Sequence, residues 1–147
     1  MTELEQFIVS LPKAEVHLHL EGAVDPGTLN ELADRHGLPP PPENLYRYEN
    51  FAGFLMAFKT VCEHLRRPED YELITYRLMQ RLGAAGVSYA EIYIAAGVLL
   101  WQSKPLEELF EGMDAAAATV IVDRAREAVG DRRMRLRESD EPLGRVS

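Results

Sequence analysis

Several function classes are excluded by what this sequence lacks. Cys62 is the only cysteine in 147 residues, so no internal disulfide and no cysteine-cluster metal site can form. There is no apolar run of about 18 residues, the length a membrane-spanning helix needs. Positive charge is short: 16 lysines and arginines against 24 acids leave a net charge of −8. That balance is unsuited to a nucleic-acid backbone. The opening MTELEQFIV is acidic and has no basic stretch of the kind that begins a signal peptide. A soluble, cytoplasmic protein is therefore expected. Histidine is scarce as well, with four in the chain and none after His64.

Enough remains for one domain. Apolar residues make up 46% of the chain, sufficient for a core at this length. The first strand is expected at Lys13–Leu20, where apolar and polar residues alternate. Ala14, Val16, Leu18 and Leu20 fall on one face, and Glu15, His17, His19 and Glu21 on the other. A helix follows, with Asp25 as N-cap, Pro26 in its first turn and Gly37 as its stop. The proline-rich stretch at residues 38–45 must be a loop. Apolar spacing then predicts a second helix over Phe51–Leu65 and a third over Tyr71–Leu82, ended by the glycines at 83 and 86. A buried second strand is expected at Val87–Ala96 and a last helix after Pro105. Strands separated by helices imply a parallel sheet. From residue 123 the composition changes, with seven arginines, no lysine and no aromatic residue. Two readings of residues 123–147 stay open, a solvated helix and tail or a non-native continuation. The expected division is 1–122 and 123–147.

The chemistry lies in EVHLHLEG. Two residues apart on a strand, His17 and His19 sit side by side and can reach one cation. The other two histidines look structural: His36 closes an apolar helix face near the helix end, and His64, among charged neighbours, is expected at the surface. Cys62 is expected to be buried packing. Phe54 and Phe58 are left open between core and pocket wall, and Trp101 is expected to pack.

These residues also carry a resemblance. LPKAEVHLHLEGAVDPGTL resembles the first barrel strand and following turn of the adenosine deaminase family, within the metal-dependent amidohydrolases. FAGFLMAF is similar to the aromatic helix that covers the family's purine pocket, and GVSYAEIYIAAG to its second strand. The likeness reaches about Ala118 and spans less than half of a family member. It implies an α/β fold, the N-terminal part of a TIM-type (β/α)8 barrel that is incomplete in this chain, with the site at the C-terminal ends of the strands. It also implies a Zn2+ cofactor held by two histidines of the first strand, a third histidine and an aspartate from later strands. His17 and His19 match the first two. Glu21 matches the acid turned toward the nucleoside, and Phe54 and Phe58 match the pocket wall. The implied reaction is zinc-dependent hydrolytic deamination of a small 6-aminopurine. The acid/base glutamate and the later histidine and aspartate have no matching positions, so no catalytic residue is assigned.

The match has departures. Tyr93 stands where adenosine-cleaving members carry arginine, and Ala95 and Ala96 replace a serine–proline pair. Adenosine, adenine and aminodeoxyfutalosine therefore all remain candidate substrates. Two other readings stay open: an H-x-H amidohydrolase acting on a cyclic amide or ester, and a non-enzymatic degenerate fragment. The chain alone is expected to be inactive, and either unstable or associated through its unpaired strand edges.

Overall fold

The computed structural model describes residues 1–121; the arginine-rich segment that begins at residue 123 lies outside them. The elements are α1 (Glu3–Ser10), β1 (Lys13–His19), a 3-10 turn (Glu21–Ala23), α2 (Pro26–His36), α3 (Phe51–His64), α4 (Pro68–Ala84), β2 (Val87–Tyr93) and α5 (Ala96–Trp101). A further helix, α6, occupies residues 106–121. The strands pair in parallel, and α2, α3 and α4 form the crossover between them, as the alternation of strand and helix requires.

Local chemistry sets most boundaries. The Asp25 carboxylate accepts from the Thr28 N–H at 2.9 Å and the Thr28 hydroxyl at 2.6 Å, which caps α2. Gly37 ends it at φ 62, a left-handed conformation that glycine adopts without penalty. The Asn50 side chain caps α3 by accepting from Gly53 N–H at 2.9 Å. Gly86 turns the chain into β2 at φ 77, where an added Cβ would lie 3.3 Å from the Val9 carbonyl oxygen.

Two helices were not expected from the sequence. α1 is built by a capping box, in which the Thr2 N–H donates to Glu5 at 2.8 Å and Thr2 Oγ1 accepts from the Glu5 N–H. α5 begins where the second strand was expected to continue. That strand ends at Tyr93 rather than Ala96, and Ala96 opens the helix instead.

The first strand also departs from strict alternation. Val16 is 61% exposed, and Ala14 is exposed too. Pairing runs from Glu15↔Ala90 to Leu18↔Ile92, three steps on β1 (18 − 15) against two on β2 (92 − 90). The extra residue is a bulge, which breaks the period of two. Strand geometry stops at His19, because Leu20 already has helical dihedrals. The core lies under the strand ends, where Leu20, Leu29, Leu32, Leu65, Tyr71, Leu99 and Leu109 are all buried. Trp101, expected to pack, is 79% exposed. No helix among the described residues is long and apolar enough to cross a membrane.

Candidate functional site

His17 sits in the bulge of β1, and His19 lies just beyond it, where regular pairing has resumed. His17 has φ 58, a left-handed conformation that costs a residue with a Cβ about 1–3 kcal/mol and persists only where its surroundings impose it. His17 and His19 are both exposed. Their rings lie 5.3 Å apart between centroids, edge to face at 72°. Zn–N bonds of roughly 2.0–2.1 Å, with about 1.1 Å more to each ring centre, put two imidazoles on one tetrahedral zinc about 5.2 Å apart. The observed spacing fits a shared cation. No cluster of three or more His, Cys, Asp or Glu side chains suited to a metal occurs among the described residues. Were a cation bound there, the pair would supply two imidazole ligands.

Aromatic rings connect this pair to α3. Tyr93, paired with His19 in the strand register, places its ring 4.5 Å from His17 and 6.1 Å from His19. From α3, Phe58 meets His19 at 6.4 Å, and Phe54 meets Phe58 at 6.2 Å. Tyr48 and Phe51 extend the row beyond Phe54 at 5.4 and 5.9 Å. Phe54 and Phe58 are thus brought to the histidines and not into the main core. Tyr93 contributes to the site from β2. Its alternation with Tyr89 and Glu91 was the sequence feature that could have placed it there.

Glu21 is placed differently from its expected position beside the histidines. It falls in the 3-10 turn beyond the strand and is fully buried, because the helical dihedrals of Leu20 rotate it off the strand face. Its Oε1 accepts from the Ala95 N–H at 2.9 Å, tying the end of β1 to the end of β2. Among the described residues its Oε2 has no partner. Nearby groups respond to its charge. Burial, then the Glu21 carboxylate, pushes the Cys62 thiol up to about 12. The same two causes, in the same order, raise the buried Tyr71 phenol. Burial lowers Lys104 against the opposing pull of Cys62 and Glu21. Nothing in the spacing of Tyr71 or Lys104 showed that they would gather around Glu21.

The remaining histidines are held by the protein. His36 is structural as expected, but its partner is a side chain and not a helix end: Nε2 lies 2.7 Å from Asp70 Oδ2. His64, expected at the surface, is 7% exposed, with Nδ1–H donating to the Thr60 carbonyl at 2.7 Å. It lies on the same stripe of α3 as Ala57 and Val61, so helix phase buries it despite its charged neighbours. Cys62 is buried. A cavity of about 650 Å³ opens between the proline-rich loop, the end of α3 and the turn before α6. Thr60, His64, Gln102 and Lys104 line it, whereas His17 and His19 lie elsewhere.

A family model described as adenosine deaminase matches residues 12–133. The aminodeoxyfutalosine deaminase of Streptomyces avermitilis is 33% identical over 132 residues, which cover 86% of this chain and 34% of that protein. The adenine deaminase of Arthrobacter aurescens superposes with a TM-score of 0.68 at 30% identity, over 76% of this chain and 36% of that one. An amidohydrolase of Burkholderia ambifaria, solved with bound Zn, gives a TM-score of 0.64 at 31% identity, over 86% and 35%. The chain spans about a third of the length of these relatives. Its α/β architecture is part of a TIM-type (β/α)8 barrel. With the family model covering most of the sequence, the chain belongs to the adenosine deaminase family.

Proposed function

We propose that this chain provides the first-strand half of a zinc site and one wall of the pocket in a hydrolytic 6-aminopurine deaminase. The observation that carries this reading is the 5.3 Å spacing of two exposed imidazoles at the C-terminal end of a parallel strand, where barrel enzymes place their chemistry. The Zn bound by the Burkholderia relative supports the choice of metal. The names of the Streptomyces and Arthrobacter relatives support adenine or aminodeoxyfutalosine as substrate, with adenosine as a third candidate.

In such an enzyme His17 and His19 hold the metal, whose contribution is Lewis acidity toward water. Phe58 and Phe54 offer adjacent apolar rings to a purine. Glu21 is the residue we assign to a polar group of the substrate, supported by an Oε2 that has no partner among the described residues, since a buried carboxylate oxygen demands a donor. The net reaction breaks the bond from the purine carbon to its exocyclic nitrogen, forms a bond to oxygen from water and releases ammonia. The sequence holds no histidine beyond His64, so the 147-residue chain by itself is expected to bind metal weakly and not to turn over.

The test grafts residues 12–121 in place of the matching segment of the Streptomyces avermitilis enzyme and follows ammonia release from adenine, adenosine and aminodeoxyfutalosine. Release from one of the three, lost on His17→Ala, supports the reading. A folded, zinc-loaded graft inert on all three but active on a cyclic amide would move the assignment to a different amidohydrolase reaction.

A further inference from the structure

We infer that Tyr93 is a positioning residue for the metal-binding pair: its ring holds the His17 and His19 imidazoles at the separation a shared cation needs. The inference rests on the reading of that pair as metal ligands. It begins from the strain at His17. A left-handed backbone at a bulge fixes where the Cβ starts but leaves the ring free to swing, and His17 is exposed. The aromatic neighbours of its ring are His19, 5.3 Å away, and Tyr93, 4.5 Å away. The Tyr93 ring also faces His19, tilted at 33°, so one phenol ring bears on both imidazoles.

The backbone keeps it there. Tyr93 is the Cα partner of His19, and its carbonyl accepts from the Leu20 N–H at 2.8 Å. That bond fixes the strand register immediately beyond the second histidine. Tyr89 shares the β2 face four residues earlier but turns its hydroxyl to Glu91 at 2.8 Å, and so provides a control on the same strand. The role assigned to Tyr93 belongs to its ring, and phenylalanine should substitute for it.

Cobalt(II) titration of the 147-residue chain, read by visible absorption and by histidine side-chain NMR, tests this. Hydrogen-bonding partners of a metal ligand typically govern roughly 10–100-fold in affinity, and a ring support is expected at the lower end of that range. Tyr93→Leu is expected to weaken cobalt binding by about tenfold or more, with Tyr93→Phe and Tyr89→Leu within about twofold of the parent. In the metal-free chain the His17 ring protons should lose their aromatic ring-current shift in Tyr93→Leu and keep it in Tyr93→Phe. A Tyr93→Leu chain with parental circular dichroism, affinity and His17 shifts overturns the inference. The unmutated chain gives a readout even if that variant does not fold: cross-relaxation between the Tyr93 and His17 rings is expected, and its absence overturns the inference too. Cobalt binding that is absent, or indifferent to both His17→Ala and His19→Ala, instead removes the metal reading itself.

Discussion

His36 and His64 lie inside the helical layer with a ring nitrogen bonded to the protein, whereas His17 and His19 stand exposed at a strand end with aromatic rings for neighbours. The same side chain is treated in opposite ways. Around His36, the Asp70 carboxylate also accepts from the Arg66 and Arg67 backbone N–H groups at 2.8 and 2.9 Å and from Arg35 at 3.3 Å. That node joins α2 to the start of α4 and ties His36 to the fold. At the strand end the chain instead keeps a left-handed His17, which weakens the fold locally and leaves two imidazoles unspent. An imidazole with a ring nitrogen bonded to the protein serves the fold, and the adjacent pair at the strand end is the one we propose for a metal.

The contrast can be broken most severely at Asp70. Asp70→Ala strands several buried donors and should cost about 3 kcal/mol or more of stability, read as a shift in the urea midpoint. Cobalt affinity of the still-folded fraction should stay within about twofold of the parent. Equal loss at both regions would show that they are not separate. Next in size is His17→Gly, which should abolish metal binding and yet raise stability by about 1 kcal/mol, because glycine adopts φ 58 without penalty. A destabilised His17→Gly chain would mean that the His17 ring supports the fold.

Alkaline pH should loosen the buried side of the molecule. Burial raises both the Cys62 thiol and the Tyr46 phenol to about 12, with Glu21 and Asp25 respectively adding to the effect. The folded chain therefore holds these protons more tightly than the unfolded chain. Their contribution is complete below the ordinary values of 9.0 and 10.0 and is lost as pH climbs toward 12. Urea midpoints should fall over that window, and less steeply in Cys62→Val. The smallest effect is expected at Lys59, whose exposed pair with Glu63 spans 2.6 Å one helical turn apart. Lys59→Ala should change stability by less than about 0.5 kcal/mol and leave cobalt binding untouched.

Much of this could be read along the chain. The cap at Asp25, the stop at Gly37 and the histidine pair depend on neighbours within a few residues, so spacing was enough to locate them. Helix phase could also have placed His64, since its position on the Ala57–Val61 stripe outweighs the arginines that follow it. α1 was legible too, in the Thr2–Glu5 capping box. Tyr93 and Glu21 were harder. The contact of Tyr93 with His17 joins residues 76 positions apart (93 − 17), and the Glu21–Ala95 bond spans 74.

Both strands, the helices α2, α3, α4 and α6, the parallel connection and the family could be read from the sequence, because periodicity, caps and motif residues act locally and are written in order; α1 and α5 were not expected from it. What the fold added is that β1 bulges at His17, that Glu21 turns inward to hold Ala95, and that Tyr93 comes to lie beside both histidines and Phe58 beside His19. Strand register and helix docking bring these groups together by hydrogen bonding and burial across the crossover. No spacing within either segment records which residue of β2 will lie opposite which residue of β1.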